Sequence, residues 1–125
     1  MSGNRILIDT NIIIYHLNGD LTLEVLLENK EIFISFISEI ELRSQRVTHQ
    51  SEQVINRFLY HVTVVHSNDK ISFEASKLRK GKKLKTPDAI IAATTKTLGV
   101  PLLTADKAFT GIPTLDVIEY LPNPL

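Results

Sequence analysis

Four carboxylates in this chain, Asp9, Glu41, Asp88 and Asp106, stand where they could share a ligand. Asp9 closes the apolar run Arg5-Ile6-Leu7-Ile8, and Asp106 comes two residues after the run Pro101-Leu102-Leu103-Thr104. Glu41 and Asp88 fall in the first turns of two expected helices. Crowded carboxylates repel, so such a group must be protonated, paired with cations or neutralised by a metal ion. An oxygen-only donor set, with no cysteine and no ordered histidine partner, suits hard cations such as Mg²⁺ or Mn²⁺ held partly through water. Such cations activate water and shield the charge that grows on phosphorus. The chemistry implied is phosphodiester or phosphoryl transfer.

Each acid also has a purely structural explanation. Glu41 completes Ser38-x-x-Glu41, the pattern of a capping box. Thr86 as N-cap, Pro87 at the first helical position and Asp88 in the first turn make a good helix start that complements the dipole. Asp106 can cap a short helix over Lys107-Ala108-Phe109, and Asp9 can bond backbone amides in a turn. The conjunction is harder to explain that way. Asp9 follows an apolar strand and would cost several kcal/mol if desolvated without a partner.

The elements that must position these acids can be read along the chain. Strands are predicted over Arg5–Asp9, Ile32–Ser35, Val62–Val65, Pro101–Thr104 and, as a short fifth, Asp116–Tyr120. Helices are predicted from Thr10-Asn11 through Leu17, over Leu21–Glu28, from Ser38, from Ser51 as a cap, from Asn68-Asp69 to Gly81, and from Thr86 to Leu98 with Gly99 as the stop. Alternating strands and helices imply parallel βαβ units, hence a three-layer α/β/α sandwich around a central parallel sheet of about four to five strands. Ligands of such sheets bind outside the carboxyl ends of the strands. Asp9 and Asp106 lie at such ends, and a helix entered straight from one starts near the same edge. Glu41 follows its strand closely, whereas Asp88 follows another helix.

Composition bounds the class. A chain of 125 residues is one domain, 1–125, able to bury about two thirds of its unfolded surface. Hydrophobic residues at 43% and charged residues at 22% are ordinary globular values and suggest neither disorder nor a fibrous class. A net charge of zero argues against a protein that grips nucleic acid by bulk charge, though a local basic strip remains open. The absence of cysteine fits a reducing compartment. The longest apolar run, Ala89–Ala93, is far short of a membrane span, so a cytoplasmic protein is expected.

Ile6-Leu7-Ile8-Asp9-Thr10-Asn11, Ile34-Ser35-x-Ile37-x3-Glu41-Leu42, Thr86-Pro87-Asp88-Ala89-x-Ile91-Ala92 and Leu102-Leu103-Thr104-x-Asp106-Lys107-x-Phe109 together resemble the successive motifs of the PIN domain family. Each motif alone is weak, but all four in this order, across Ile6 to Phe109, are specific. The size and the lack of an appended domain resemble VapC-type toxins of toxin–antitoxin pairs. The resemblance implies a metal-dependent endoribonuclease with Asp9, Glu41, Asp88 and Asp106 as its acids. Asp9, Asp88 and Asp106 would hold one or two Mg²⁺ or Mn²⁺ ions, and Glu41 would orient or deprotonate the attacking water, leaving a 5′-phosphate and a 3′-hydroxyl. Asn11 and Thr104 match the polar positions that accompany the first and last acids. A homodimer is also implied, together with a small antitoxin whose C-terminal segment covers the acids. The family often has glycine shortly after Glu41-Leu42-Arg43, where this chain has Ser44-Gln45.

Arg79, Lys80, Lys82, Lys83 and Lys85 place five positive charges in seven residues just before Asp88, either as a solvated loop or as a grip on RNA phosphates. Arg43 is a candidate partner for the acids. His16, His49, His61 and His66 have no metal-ligand spacing, and Tyr15, Phe33, Phe36, Phe58, Tyr60, Phe73, Phe109 and Tyr120 read as core. Two other readings keep a similar sheet: a phosphatase or receiver-type phosphotransfer domain, and an inactive binding module. Against a dehalogenase-type phosphatase, Asp9-Thr10-Asn11 lacks the second aspartate of Asp-x-Asp. Against a receiver, the first strand carries no acidic pair and no phosphoacceptor follows the third.

Overall fold

The computed structural model describes residues 4–81 and 84–122. Five strands, β1 (Arg5–Ile8), β2 (Glu31–Ser35), β3 (Thr63–Val65), β4 (Leu102–Thr104) and β5 (Val117–Glu119), form one sheet in the order β3-β2-β1-β4-β5. Every pairing is parallel. Six helices cover it: α1 (Thr10–Leu17), α2 (Leu21–Leu27), α3 (Phe36–Arg43), α4 (His49–His61), α5 (Asp69–Gly81) and α6 (Thr86–Leu98). The α/β/α sandwich expected from the sequence is the fold observed.

The central strands are apolar on both faces because both faces are covered. Leu7, Phe33 and Leu102 point into one core with Ala75 of α5 and Ile91 and Ala92 of α6. Ile6, Ile8, Ile34 and Leu103 point the other way, into a core with Ile12 and Ile13 of α1, Leu23 of α2 and Leu42 of α3. This alternation locks register, since a one-residue slip would exchange the faces. Ile8 pairs with Leu103, so the next residues on each strand, Asp9 and Thr104, leave the sheet side by side.

Several helix starts differ from expectation. Ser35 rather than Ser38 caps α3, its hydroxyl accepting from the Ile37 N–H at 3.1 Å. Ser38 is a fully buried helical residue and Glu41 lies further along the helix, so the capping box does not form. α4 begins at His49 with Thr48 as its cap, because no glycine or proline stops the helix from extending back to that hydroxyl. α6 begins at Thr86, with Lys85 as an N-cap whose side chain bonds nothing there. Proline fits one position later than expected because the second N–H of a helix is also unused. Tyr60 and Phe73 are not core: they are 86% and 64% exposed. Each is out of phase with the buried pairs Ile55/Leu59 and Ile71/Ala75 of its helix. Among the described residues no helix is long and apolar enough to cross a membrane.

α6 carries Asp88, and its far end fixes its direction. Gly99 stops it with φ +69°, its N–H bonding the Thr95 and Lys96 carbonyls, and three residues later β4 begins. The helix therefore runs antiparallel to the strands, with its first turn at their carboxyl edge. An added Cβ at Gly99 would meet nothing within 4 Å, so only the backbone resists substitution. Gly99→Ala is expected to cost about 1 kcal/mol, or about 4 °C in a domain of this size. Gly99→Asn should cost less, because asparagine tolerates the left-handed region. Urea and thermal unfolding measure both, and an unchanged alanine variant would refute the assigned conformation.

Candidate active site

Asp9 is both the end of the first strand and the cap of the first helix. It is only 6% exposed, yet both carboxylate oxygens are bonded: Oδ1 accepts from the Thr10 N–H at 2.8 Å and Oδ2 from the Thr104 hydroxyl at 2.7 Å. The Thr104 hydroxyl oxygen in turn accepts from the Asp106 N–H at 3.0 Å. One buried threonine thus connects the acid that ends β1 to the backbone of the acid that follows β4. Asp106 caps a short 3-10 turn over Lys107–Phe109, its Oδ1 accepting from the Ala108 N–H at 2.9 Å. Asn11 secures the same loop, its Oδ1 accepting from the Ala105 N–H at 3.3 Å.

The four acids share one edge of the sheet. Desolvation pushes the Asp9 carboxyl above its ordinary range, the bonds from Thr104 and Thr10 oppose this, and the charges of Asp88 and Asp106 add to it. Asp88, half-buried in the first turn of α6, is also raised, first by desolvation and then by Asp106 and Glu41, with Lys85 opposing. Glu41 is exposed and held differently, through a hydrogen bond of 2.5 Å from the Thr10 hydroxyl to Oε1.

Arg43 is turned away from this group. Its guanidinium bonds Glu39 at 3.0 Å and the Asn56 side-chain oxygen at 3.2 Å. Arg79 is committed in part to its own loop, bonding the Leu84 carbonyl at 2.6 Å. Lys80 and Lys85 are exposed, and Lys85 is the basic residue whose charge reaches Asp88. Lys82 and Lys83 lie outside the described residues. Thr10 and Ser38 are members of the site that sequence reasoning used only as helix starters. The available signal was that Thr10 directly follows an acid at a strand end, where its hydroxyl must face the same edge.

The donor set is chemically suited to a hard divalent cation. It is all oxygen, and the repulsion that adds to burial in raising Asp9 and Asp88 is what such an ion would relieve. Among the described residues no three His, Asp or Glu side chains are arranged as a ready metal cage. Mg²⁺ does not need one, because it is commonly bound by one or two carboxylates and retains several waters.

A parallel α/β/α sheet with acids gathered at its carboxyl edge defines a class of proteins whose ligands bind outside the strand ends. Residues 6–115 match the PIN domain, and the chain belongs to that family. Among solved structures it is similar to a toxin–antitoxin complex from Klebsiella pneumoniae, with 31% identity over 90% of this chain and 95% of the other and a TM-score of 0.79. It is also similar to VapBC2 from Rickettsia felis bound to a promoter DNA fragment (25% identity, 93% and 98% coverage, TM-score 0.77). VapBC-1 from nontypeable Haemophilus influenzae is a third such structure (28% identity, 92% and 97% coverage, TM-score 0.73). Comparison with the sequences of curated proteins found no match.

The raised carboxyls have a consequence for stability. Their folded-state pKa values exceed the ordinary 3.8, so the folded protein holds protons that the unfolded chain would release. The stability they contribute is fully present below about pH 3.8 and is lost as pH rises through the folded values. Without divalent ions, Asp88→Asn should therefore melt a few degrees above the parent at pH 7.5 and level with it at pH 3. Thermal melts in EDTA across that range measure this, and identical pH slopes would contradict it.

Proposed function

We propose that this chain is a divalent-metal-dependent endoribonuclease that acts in the cytoplasm as the toxin of a VapBC-type toxin–antitoxin pair. One observation carries the reading: a buried Asp9 and a half-buried Asp88 lie at one sheet edge with Asp106 and Glu41, where burial first, and then the charges of the neighbouring acids, oppose their ionisation. Family membership and the likeness to toxin–antitoxin complexes support it. Asp9, Asp88 and Asp106 would hold one or two Mg²⁺ or Mn²⁺ ions, directly or through water. When bound, the cation supplies polarisation of the scissile phosphate and a more acidic water.

The chain's own residues do the rest. Thr104 keeps Asp9 turned toward the edge, and Asn11 holds the loop that presents Asp106. Glu41 orients the attacking water and accepts its proton on a carboxylate oxygen. The water oxygen bonds to phosphorus as the P–O3′ bond opposite it breaks. O3′ takes up a proton from solvent, leaving a 3′-hydroxyl and a 5′-phosphate. Lys80 and Lys85 lie close to the start of the Asp88 helix in the chain and supply a sequence-independent hold on RNA phosphates. The same hold is assigned to Arg79, Lys82 and Lys83.

The antitoxin is a small protein whose C-terminal segment lies over the acids. An apolar groove between α1, α3 and α4, lined by Ile14, Leu17, Leu42, Val47, Val54 and Ile55, offers that partner a further hold. The toxin itself pairs as a homodimer, which light scattering would register as twice the 14.1 kDa chain mass.

Purified protein incubated with structured and unstructured RNA in Mg²⁺ or Mn²⁺ should cut it, EDTA should abolish cutting, and end mapping should give 5′-phosphates. Asp9→Asn or Asp88→Asn should lower kcat by roughly a hundredfold or more, consistent with loss of about 3 kcal/mol of transition-state stabilisation. Cleavage at the parent rate by both variants would overturn the assignment, and binding without cleavage would leave an inactive PIN-fold module. Replacing Lys80 and Lys85 with glutamine should reduce the slope of log K against log salt by roughly 0.7 for each RNA phosphate that is no longer neutralised. An unchanged slope would remove these lysines from the RNA path.

A further inference from the structure

Thr10 touches two of the four acids at once. Its N–H donates to Asp9 Oδ1 at 2.8 Å, and its hydroxyl lies 2.5 Å from Glu41 Oε1 and 2.8 Å from Ser38 Oγ. A hydroxyl has one proton to give, and an ionised carboxylate can only accept. The Thr10 proton therefore goes to Glu41, and the Ser38 hydroxyl donates to the Thr10 oxygen. The result is a directed chain, Ser38 to Thr10 to Glu41, with a fully buried serine at its inner end and an exposed carboxylate at its outer end.

Glu41 needs such a hold. It is an exposed side chain on a helix surface, and Thr10 is the hydrogen-bond partner observed for it. Ser38 and Glu41 are three residues apart and so share one face of α3, and Thr10 meets that face from the first position of α1. We infer that Thr10 is a positioning residue that sets the Glu41 carboxylate in register with Asp9, with Ser38 fixing the direction of its hydroxyl. The inference rests on the nuclease reading, in which Glu41 handles the attacking water, and adds what aims it. A water-orienting carboxylate free to rotate would forfeit much of the gain from alignment.

Thr10→Val keeps the shape and removes the hydroxyl. It should lower kcat for RNA cleavage about 10- to 100-fold, the usual effect of losing a hydrogen-bonded support behind an active group, with KM for RNA nearly unchanged. Thr10→Ser should restore most of the rate, and Ser38→Ala should give a smaller loss of the same kind. In a Glu41→Gln background Thr10→Val should cost little more, because the group it aims is already disabled. A parent-like rate for Thr10→Val, a serine variant as slow as the valine one, or full additivity with Glu41→Gln would overturn the inference.

A second measurement separates this from failure of the nuclease reading. Urea unfolding of metal-free Thr10→Val, Glu41→Ala and the double variant should be non-additive if the two side chains are coupled. Additive effects overturn the link even in an active nuclease. Non-additive effects in a parent protein that cuts no RNA overturn the nuclease reading, and the catalytic part of the inference with it, while the Thr10 to Glu41 bond stands.

Discussion

The site depends on the pairing of β1 with β4 where the two strands end. There the Asp9 N–H donates to the Leu103 carbonyl, and the Thr104 hydroxyl reaches the Asp9 carboxylate from the neighbouring strand. A carboxylate this deeply buried is costly unless its oxygens are bonded, and Asp9 has both oxygens bonded. The geometry that satisfies it is available in one register only. A shift of one residue would move Thr104 by about 3.3 Å along the strand. It would also turn Leu7, Leu102 and their neighbours to the wrong faces. The cores on the two sides of the sheet therefore hold in place the hydrogen bond that makes a buried acid tolerable.

From that point the site divides into a rigid part and an adjustable part. Asp9 and Asp106 hang from strand ends and share Thr104, so their relative placement follows from the sheet. Asp88 and Glu41 ride on helices, and their placement follows from where those helices start and how they pack. α6 is firm in this respect, because Ala89, Ile91, Ala92 and Ala93 are buried and Gly99 fixes its far end. Glu41 is the least constrained of the four, an exposed side chain steadied by one threonine hydroxyl. Burial first, and then the charges of acids on both parts, oppose the ionisation of Asp9 and Asp88.

Much of this was legible in the sequence, for reasons that differ by element. Arg5–Ile8 and Leu102–Thr104 are short apolar runs with a polar residue at the end, which is how a strand covered on both faces must read. Their parallel pairing follows from the alternation of elements, so the shared edge of Asp9 and Asp106 could be inferred. Helix starts were less legible. Ser35 and Ser38 can both cap, as can Thr48 and Ser51, and the chain uses the earlier hydroxyl of each pair because the intervening residues extend the helix. Tyr60 and Phe73 lie in periodic segments yet face solvent, because their phase differs from that of the buried positions Ile55/Leu59 and Ile71/Ala75 of their helices. Of the two partners of Arg43, Glu39 is legible as an i,i+4 pair on one helix, whereas Asn56 comes from a different helix and neither sequence pattern refers to the other. The hydroxyl chain through Thr10 was hidden for the same reason, because it joins α1 to α3 across 28 and 31 residues.

The string Asp9-Thr10-Asn11 shows why one carboxylate, and not two, belongs at the end of this strand. Each residue leaves it for a different partner: Asp9 for Thr104 of β4, Thr10 for Glu41 of α3, and Asn11 for the Ala105 N–H beyond β4. An aspartate at position 11 could still accept from Ala105. It would also place a further negative charge beside Asp9 and Asp106, where Asp9 is already made harder to ionise by burial and by its neighbours. A neutral amide secures the loop without adding to that repulsion. The acids held on separate elements can then be brought to one edge by the fold without a fifth like charge among them.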